Sequence, residues 1–176
     1  MGIAFEPNEV LVVQVHYNMV DPSTIGLSDT TTLNMMGESS VERVARYALM
    51  DPFIESLFEI IPEIIPAGES DYSYTWSLSG YDVLRTAGFD GLADDVRVEA
   101  VLPHMHEYGT QHYANLTTGG ETQCLSEVKD WDFNWQLAYF YEEPFPITSA
   151  DELEVTCHWD TSFAVVPLIP GWGTGN

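Results

Sequence analysis

Apolar and polar residues alternate with a period of two through residues 71–78 (DYSYTWSL), 96–102 (VRVEAVL) and 153–159 (LEVTCHW), which predicts half-buried β-strands. Further β-type runs occupy 10–18 (VLVVQVHYN), the Thr-rich 28–36 (SDTTTLNMM), 124–128 and the aromatic 134–141 (NWQLAYFY), and the run from 96 continues as a strand to 104 with another over 106–117, the two either continuous through the histidine pair or gently bent there. Turn residues separate them: Asp21-Pro22-Ser23, Thr118-Gly119-Gly120-Glu121, and Pro144, Pro146 and Asp151. Residues 41–50 fit helix or strand until Asp51-Pro52 breaks them, and 54–61 are equally ambiguous. Pro62, Pro66 and Gly68 mark a loop, and the glycine-rich 79–95 read as loop with at most one helical turn. The tail from Pro167 reads as irregular. Short strands at about ten-residue spacing predict an all-β fold, an antiparallel β-sandwich or barrel with few or short helices. No repeat, nucleophile elbow or phosphate-binding glycine loop interrupts this pattern.

Composition narrows the function classes. The 176 residues suffice for one domain with its own core, and 45% apolar with 12% aromatic residues is the make-up of a folding chain. Against 28 Asp and Glu stand 5 Lys and Arg, a net charge of −23. Such a field repels phosphate backbones and anionic lipid, so neither nucleic acid nor a membrane surface is an expected partner. No apolar run of about 20 residues is present to span a bilayer, and the first residues, MGIAFEP, do not form a signal peptide. Cys124 and Cys157 fit one disulfide or two small buried thiols. Asn115-Leu116-Thr117 is a glycosylation sequon of low specificity.

The chemistry concentrates at His104-Met105-His106. At i and i+2 in an extended segment, two imidazoles project to the same side and can share one ion, copper or zinc by donor type. Met105 then faces the other way, and Glu107 points away from the pair into solvent. His112 shares the strand face on ideal geometry but lies about 20 Å from His106, so it is expected at a solvent or core edge. His16, with Gln14 on the same face, is by itself a structural histidine, and His158 is expected to face away from Cys157 at an edge or loop. Trp131, Phe133, Trp135, Tyr139 and Tyr141 alternate as one face of a sandwich core would, or as a ligand-stacking platform.

Five strings occur in order: LVVQVHYN (11–18), IIPAGE (64–69), PHMHEYG (103–109), WDFNWQ (131–136) and TCHWDTS (156–162). Together they resemble the copper type II, ascorbate-dependent monooxygenases, the family of peptidylglycine α-hydroxylating and dopamine β-monooxygenases, and WDFNWQ looks like the bacterial branch. The resemblance implies a pair of jelly-roll-type sandwiches, each holding one copper, of which this chain carries the last strand of the first (1–20) and most of the C-terminal, oxygen-binding one (21–176). It implies copper at His104 and His106. His16 would be the last ligand of a second copper whose partners lie in a missing N-terminal domain. In the full enzymes O2 and ascorbate hydroxylate a C–H bond of a small-molecule substrate, in a secreted or periplasmic setting.

Three departures follow from the same resemblance. The family's third ligand, a Met in a Glu-Met-Cys string after a Gly-Thr turn, has no counterpart, since the chain stops at Gly173-Thr174-Gly175-Asn176. The cysteine of that string, the implied disulfide mate of Cys157, is missing with it. The basic anchor for a peptide carboxylate is Leu102 here, so a glycine-extended peptide is not the implied substrate. The isolated chain is therefore expected to bind copper without full turnover. The rival expectation is a non-enzymatic β-sandwich module that binds carbohydrate or a partner protein, with vestigial histidines.

Overall fold

The computed structural model describes residues 1–5, 8–13, 15, 23, 26, 28–48 and 64–169. The chain divides into two compact units, Met1–Arg46 and Tyr47–Asn176. In the first, β1 (Gly2–Ile3) pairs in parallel with β2 (Val44–Ala45), joined by Gly2 N–H donating to Arg43 O at 3.1 Å. The two β-type runs expected before β2 are not strands where they are described: residues 10–13, 15 and 28–36 join no ladder, and Val10, Val12 and Met36 lie exposed. The remainder of 10–18, and the ambiguous run 54–61, fall outside the described residues.

The second unit carries β3 (Tyr72–Ser79), α1 (Gly80–Thr86), β4 (Val96–Val101), β5 (Gly109–Thr118), β6 (Glu121–Val128), β7 (Tyr139–Ile147) and β8 (Glu152–Trp159). Antiparallel pairing orders one sheet β3-β8-β5-β6 and a second β4-β7. The period-two pattern sets the register. Tyr74, Trp76 and Leu78 of β3 lie opposite Cys157, Val155 and Leu153 of β8, and each outward position carries a polar residue, such as the hydrogen-bonded pair Thr75 and Thr156 at 2.8 Å. Between the sheets lies a core of Ala114, Leu116, Leu125, Ile147 and Leu153, with Val96 and Val98 packed from β4. Val83 and Leu84 of α1 close one end of it. Among the described residues the fold is thus an all-β antiparallel sandwich with one short helix, as the alternation predicts.

The loop expected at 79–95 begins instead with a helix of two turns. Ser79 caps it, its hydroxyl accepting from Asp82 N–H at 3.2 Å. Gly80 is obligatory there, because a Cβ would sit 1.9 Å from the Thr148 carbonyl oxygen. The hairpin at 118–121 is as expected, with Gly119 and Gly120 both at positive φ. The aromatic strand expected at 134–141 is not one: 131–138 form a loop, and β7 starts at Tyr139 and runs through Pro144 and Pro146. Among the described residues β7 pairs with β4 alone, with Pro146 opposite Arg97. Neither cysteine is bonded: Cys124 is exposed on the outer strand β6, whereas Cys157 is buried, which pushes its thiol up to about 12.

Candidate metal centre

His104 and His106 are not on a strand. β4 ends at Val101, and the pair occupies the extended connection 102–108, which bends into β5 through a turn closed by Gly109 N–H on His106 O at 3.0 Å. The alternation survives without ladder partners. Pro103 and Met105 are buried, His104 is exposed and His106 half-buried, so the two anchors point inward and the two imidazoles outward. Met105 packs with Ile65, Cys157, Trp159 and Leu168 in a second core cluster. Gly109 permits this, since a Cβ there would lie 2.8 Å from Met105 Cβ. Met105 therefore faces away from the pair and Glu107 lies in solvent, as the spacing predicts.

The imidazoles converge, with Nε2 of His104 3.1 Å from Nε2 of His106 and ring planes crossing at 88°. A loop from the far side of the sequence orients them. Gln136 donates its amide N–H to Phe133 O at 2.7 Å, which turns Oε1 toward His104 Nδ1, 2.5 Å away. An amide oxygen only accepts, so His104 carries its proton on Nδ1 and, in the neutral ring, leaves the Nε2 lone pair facing His106. Phe133 sets its ring near-perpendicular to His106, 84° at 5.8 Å between centroids. The loop is itself pinned: Trp131 N–H donates to Thr110 O at 2.9 Å, and Asp132 Oδ1 accepts from Asn134 N–H at 2.8 Å.

This donor set fits a metal. Imidazole nitrogens suit copper and zinc, and the orienting acceptor on the distal ring nitrogen is the usual support of a ligating histidine. His104 and His106 would hold such an ion through their Nε2 atoms. The pair supplies two ligands. Among the described residues no group of three or more His, Cys, Asp or Glu gathers for a metal.

The other histidines stand apart. His16 and Gln14 lie outside the described residues. His112 is not at an edge as expected: at 7% exposure it faces the interior from β5, where burial lowers its pKa to about 4. Its strand begins only at Gly109, so the continuous face from His104 to His112 does not exist and the turn at 106–109 resets which side each residue takes. His158 faces away from Cys157 as expected, its Nδ1 2.8 Å from Asp71 Oδ1 on the outer face of the sheet, but it lies on β8, paired with β3 and β5 on either side, rather than at an edge or loop. Gln136 is the functional residue that sequence inspection passes over. It stands in WDFNWQ, but nothing local ties it to a histidine 32 positions earlier.

The five alternating aromatics do not form one core face: Trp131 packs against the second core cluster and Tyr141 against the first, whereas Trp135 and Tyr139 are exposed and Phe133 stands beside His106. Trp131, Trp135 and Tyr139 line, with Pro103, Val128, Leu137 and the carboxylates Asp130 and Asp132, an open hollow of about 220 Å³, and Trp135 is 66% exposed. Pro103 immediately precedes His104, and Trp135 and Leu137 flank Gln136, so the hollow and the histidine pair share both of their loops. Among the described residues no helix is long and apolar enough to cross a membrane.

No family model matches the chain. It is 28% identical over 181 residues to DBH-like monooxygenase protein 1 of Gallus gallus, an alignment that takes in all of this chain and 28% of that protein. It is 25% identical over 166 residues to DBH-like monooxygenase protein 2 of Mus musculus, covering 92% of this chain and 25% of that protein. The chain thus spans about a quarter of the length of these relatives, and along nearly all of its own length it bears a distant similarity to DBH-like monooxygenase proteins.

Proposed function

We propose that residues 21–176 are the oxygen-binding copper domain of a DBH-like, copper-dependent monooxygenase, which hydroxylates a C–H bond of a small molecule with O2 and ascorbate. The proposal carries with it a jelly-roll winding of the sandwich, a bacterial-branch origin and a secreted or periplasmic setting. Residues 1–20, with His16, belong on this view to a preceding copper domain. The observation that carries it is the convergence of two imidazole Nε2 atoms to 3.1 Å with the His104 proton held on the distal nitrogen, in a chain similar to monooxygenases.

Bound copper supplies one-electron redox chemistry and a place for O2 to react. The chain's own residues supply the geometry. Gln136 holds Nδ1–H of His104 and keeps its other nitrogen free of a proton. Buried Pro103 and Met105 fix the backbone on either side of His104, so that the ring stays beside His106 without a metal. Met105 is held in the core by its own packing and would not be among the residues that hold the ion.

Addition of Cu(II) and comparison of spin-resonance spectra of the wild type and His104→Ala tests this. Nitrogen-coupled features lost in the variant are expected, and identical spectra remove the site. Metal analysis of the purified protein decides between copper and zinc. A second reading, a binding module without turnover, is favoured by the solvent-facing Trp135 and Phe140. It predicts ligand binding with no copper uptake.

A further inference from the structure

The two core clusters differ in their chemistry. The one between the sheets is aliphatic at its centre, with Leu84, Leu116, Ile147 and Leu153, and Tyr141 is the one phenol or indole packed against it among the described residues. The one behind the histidine pair holds Met105, Cys157 and Trp159, with Tyr72, Tyr74, Trp76, Tyr108 and Trp131 packed around them. Burial alone does not require this partition, since leucine and isoleucine fill the first cluster. What separates the two is redox character: indole, phenol, thiol and thioether groups give up an electron readily, and aliphatic groups do not.

The rings of the second cluster form a connected series that starts beneath the pair. Met105, between the two histidines, points inward, and its Sδ and Cε would lie 3.1 Å from a Cβ on Gly109. Gly109 is the cross-strand partner of Trp159. From Trp159 the series branches. Tyr72 is 6.1 Å away between ring centroids, and Trp76 is also 6.1 Å away, followed by Tyr74 4.8 Å beyond it. These are the separations of packed rings, so each step is short. The order also matters. Trp159 is buried, and an indole can lose an electron without passing on a proton at once. Both branches end on a half-buried tyrosine, whose phenol must release its proton as it is oxidised.

We propose that this series is an escape path for oxidising equivalents, which carries them from the histidine pair through Trp159 to Tyr72 and Tyr74. A one-electron oxidant at the pair takes an electron from Trp159. Trp159 recovers it from Tyr72, or from Trp76 and then Tyr74, and the phenol proton passes to water. Ascorbate returns one electron and one proton to the tyrosine. The source of the oxidant and the reductant rests on the monooxygenase reading, while conduction through the rings needs no metal.

The first test uses the metal-free chain with a ruthenium(II) polypyridyl label on the histidine pair, in a His16→Ala, His158→Gln background. Flash and quench oxidise the label to ruthenium(III), and transient absorption follows the label and the radicals. A tryptophan radical is expected, followed by a tyrosine radical. Trp159→Phe keeps a ring in the core and should slow reduction of the label at least tenfold. Tyr72→Phe with Tyr74→Phe preserves packing more closely still, and should remove the tyrosine radical while the tryptophan radical persists. In the second test the Cu(II)-loaded chain is treated with hydrogen peroxide and its peptides are read by mass spectrometry. Added oxygen should fall on Tyr72, Tyr74 and Trp76 in the wild type, and on His104, His106 and Met105 in Trp159→Phe. A label indifferent to Trp159→Phe, a tyrosine radical that is absent or survives the double substitution, or copper-directed damage unchanged by Trp159→Phe overturns the proposal. Conduction in the labelled chain with no histidine-bound copper identifies the failure of the monooxygenase reading, and overturns the protective role while the ring series stands.

Discussion

Replacing Gln136 by Met keeps the length and volume of the side chain and removes both of its hydrogen bonds, from His104 Nδ1 and to Phe133 O. Each neutral bond contributes about 0.5–1.5 kcal/mol to stability, so the fold should lose about 1–3 kcal/mol and remain folded. The larger consequence falls on the metal. Without the acceptor the His104 proton is free to move to Nε2, and the ring is free to turn from His106. Loss of such a supporting partner typically weakens metal binding by about 10–100-fold, or about 1.4–2.7 kcal/mol. Competition between the protein and a Cu(II) chelator measures this directly. Gln136→Glu separates the two roles of the side chain. A carboxylate still accepts from Nδ1–H but cannot donate to Phe133 O, so copper affinity should return to within about threefold of the wild type while the loop bond stays broken. If Gln136→Met binds copper as tightly as the wild type, or if Glu and Met weaken it equally, Gln136 does not orient His104.

Two further outcomes test the fold around the site. Leu116 has no exposed surface in the middle of the sandwich, and Leu116→Ala should cost about 2–5 kcal/mol in a denaturant titration; a loss below 1 kcal/mol would mean that the core is not packed as described. His112 has its pKa lowered by burial from 6.5 to about 4, so between those values the unfolded chain binds a proton that the native chain does not. Stability therefore falls as pH falls through that window, by about 2 kcal/mol between pH 7.5 and 5 from this group alone. The difference between wild type and His112→Gln, measured at both pH values, isolates it, and equal pH slopes refute the buried, neutral histidine.

Period-two alternation at 71–78, 96–102 and 153–159 was enough to establish strands, because a strand with one face buried leaves no other arrangement for its apolar side chains. The same period placed His104 and His106 on one side and Met105 on the other, and that held where the ladder itself did not, since it depends on local extension rather than on pairing. Alternation misled in the loop 131–138, which from Asn134 onward has the aromatic rhythm of a strand. Its backbone hydrogen bonds go to Thr110 and to an Asp132 turn, choices decided by groups distant in the sequence. Burial of His112 likewise depended on where β5 begins, which a turn at 106–109 sets and no local preference reveals. The histidine pair was a property of the chain. What holds its proton in place, an amide 32 residues later, exists only once two loops meet at the end of a sandwich.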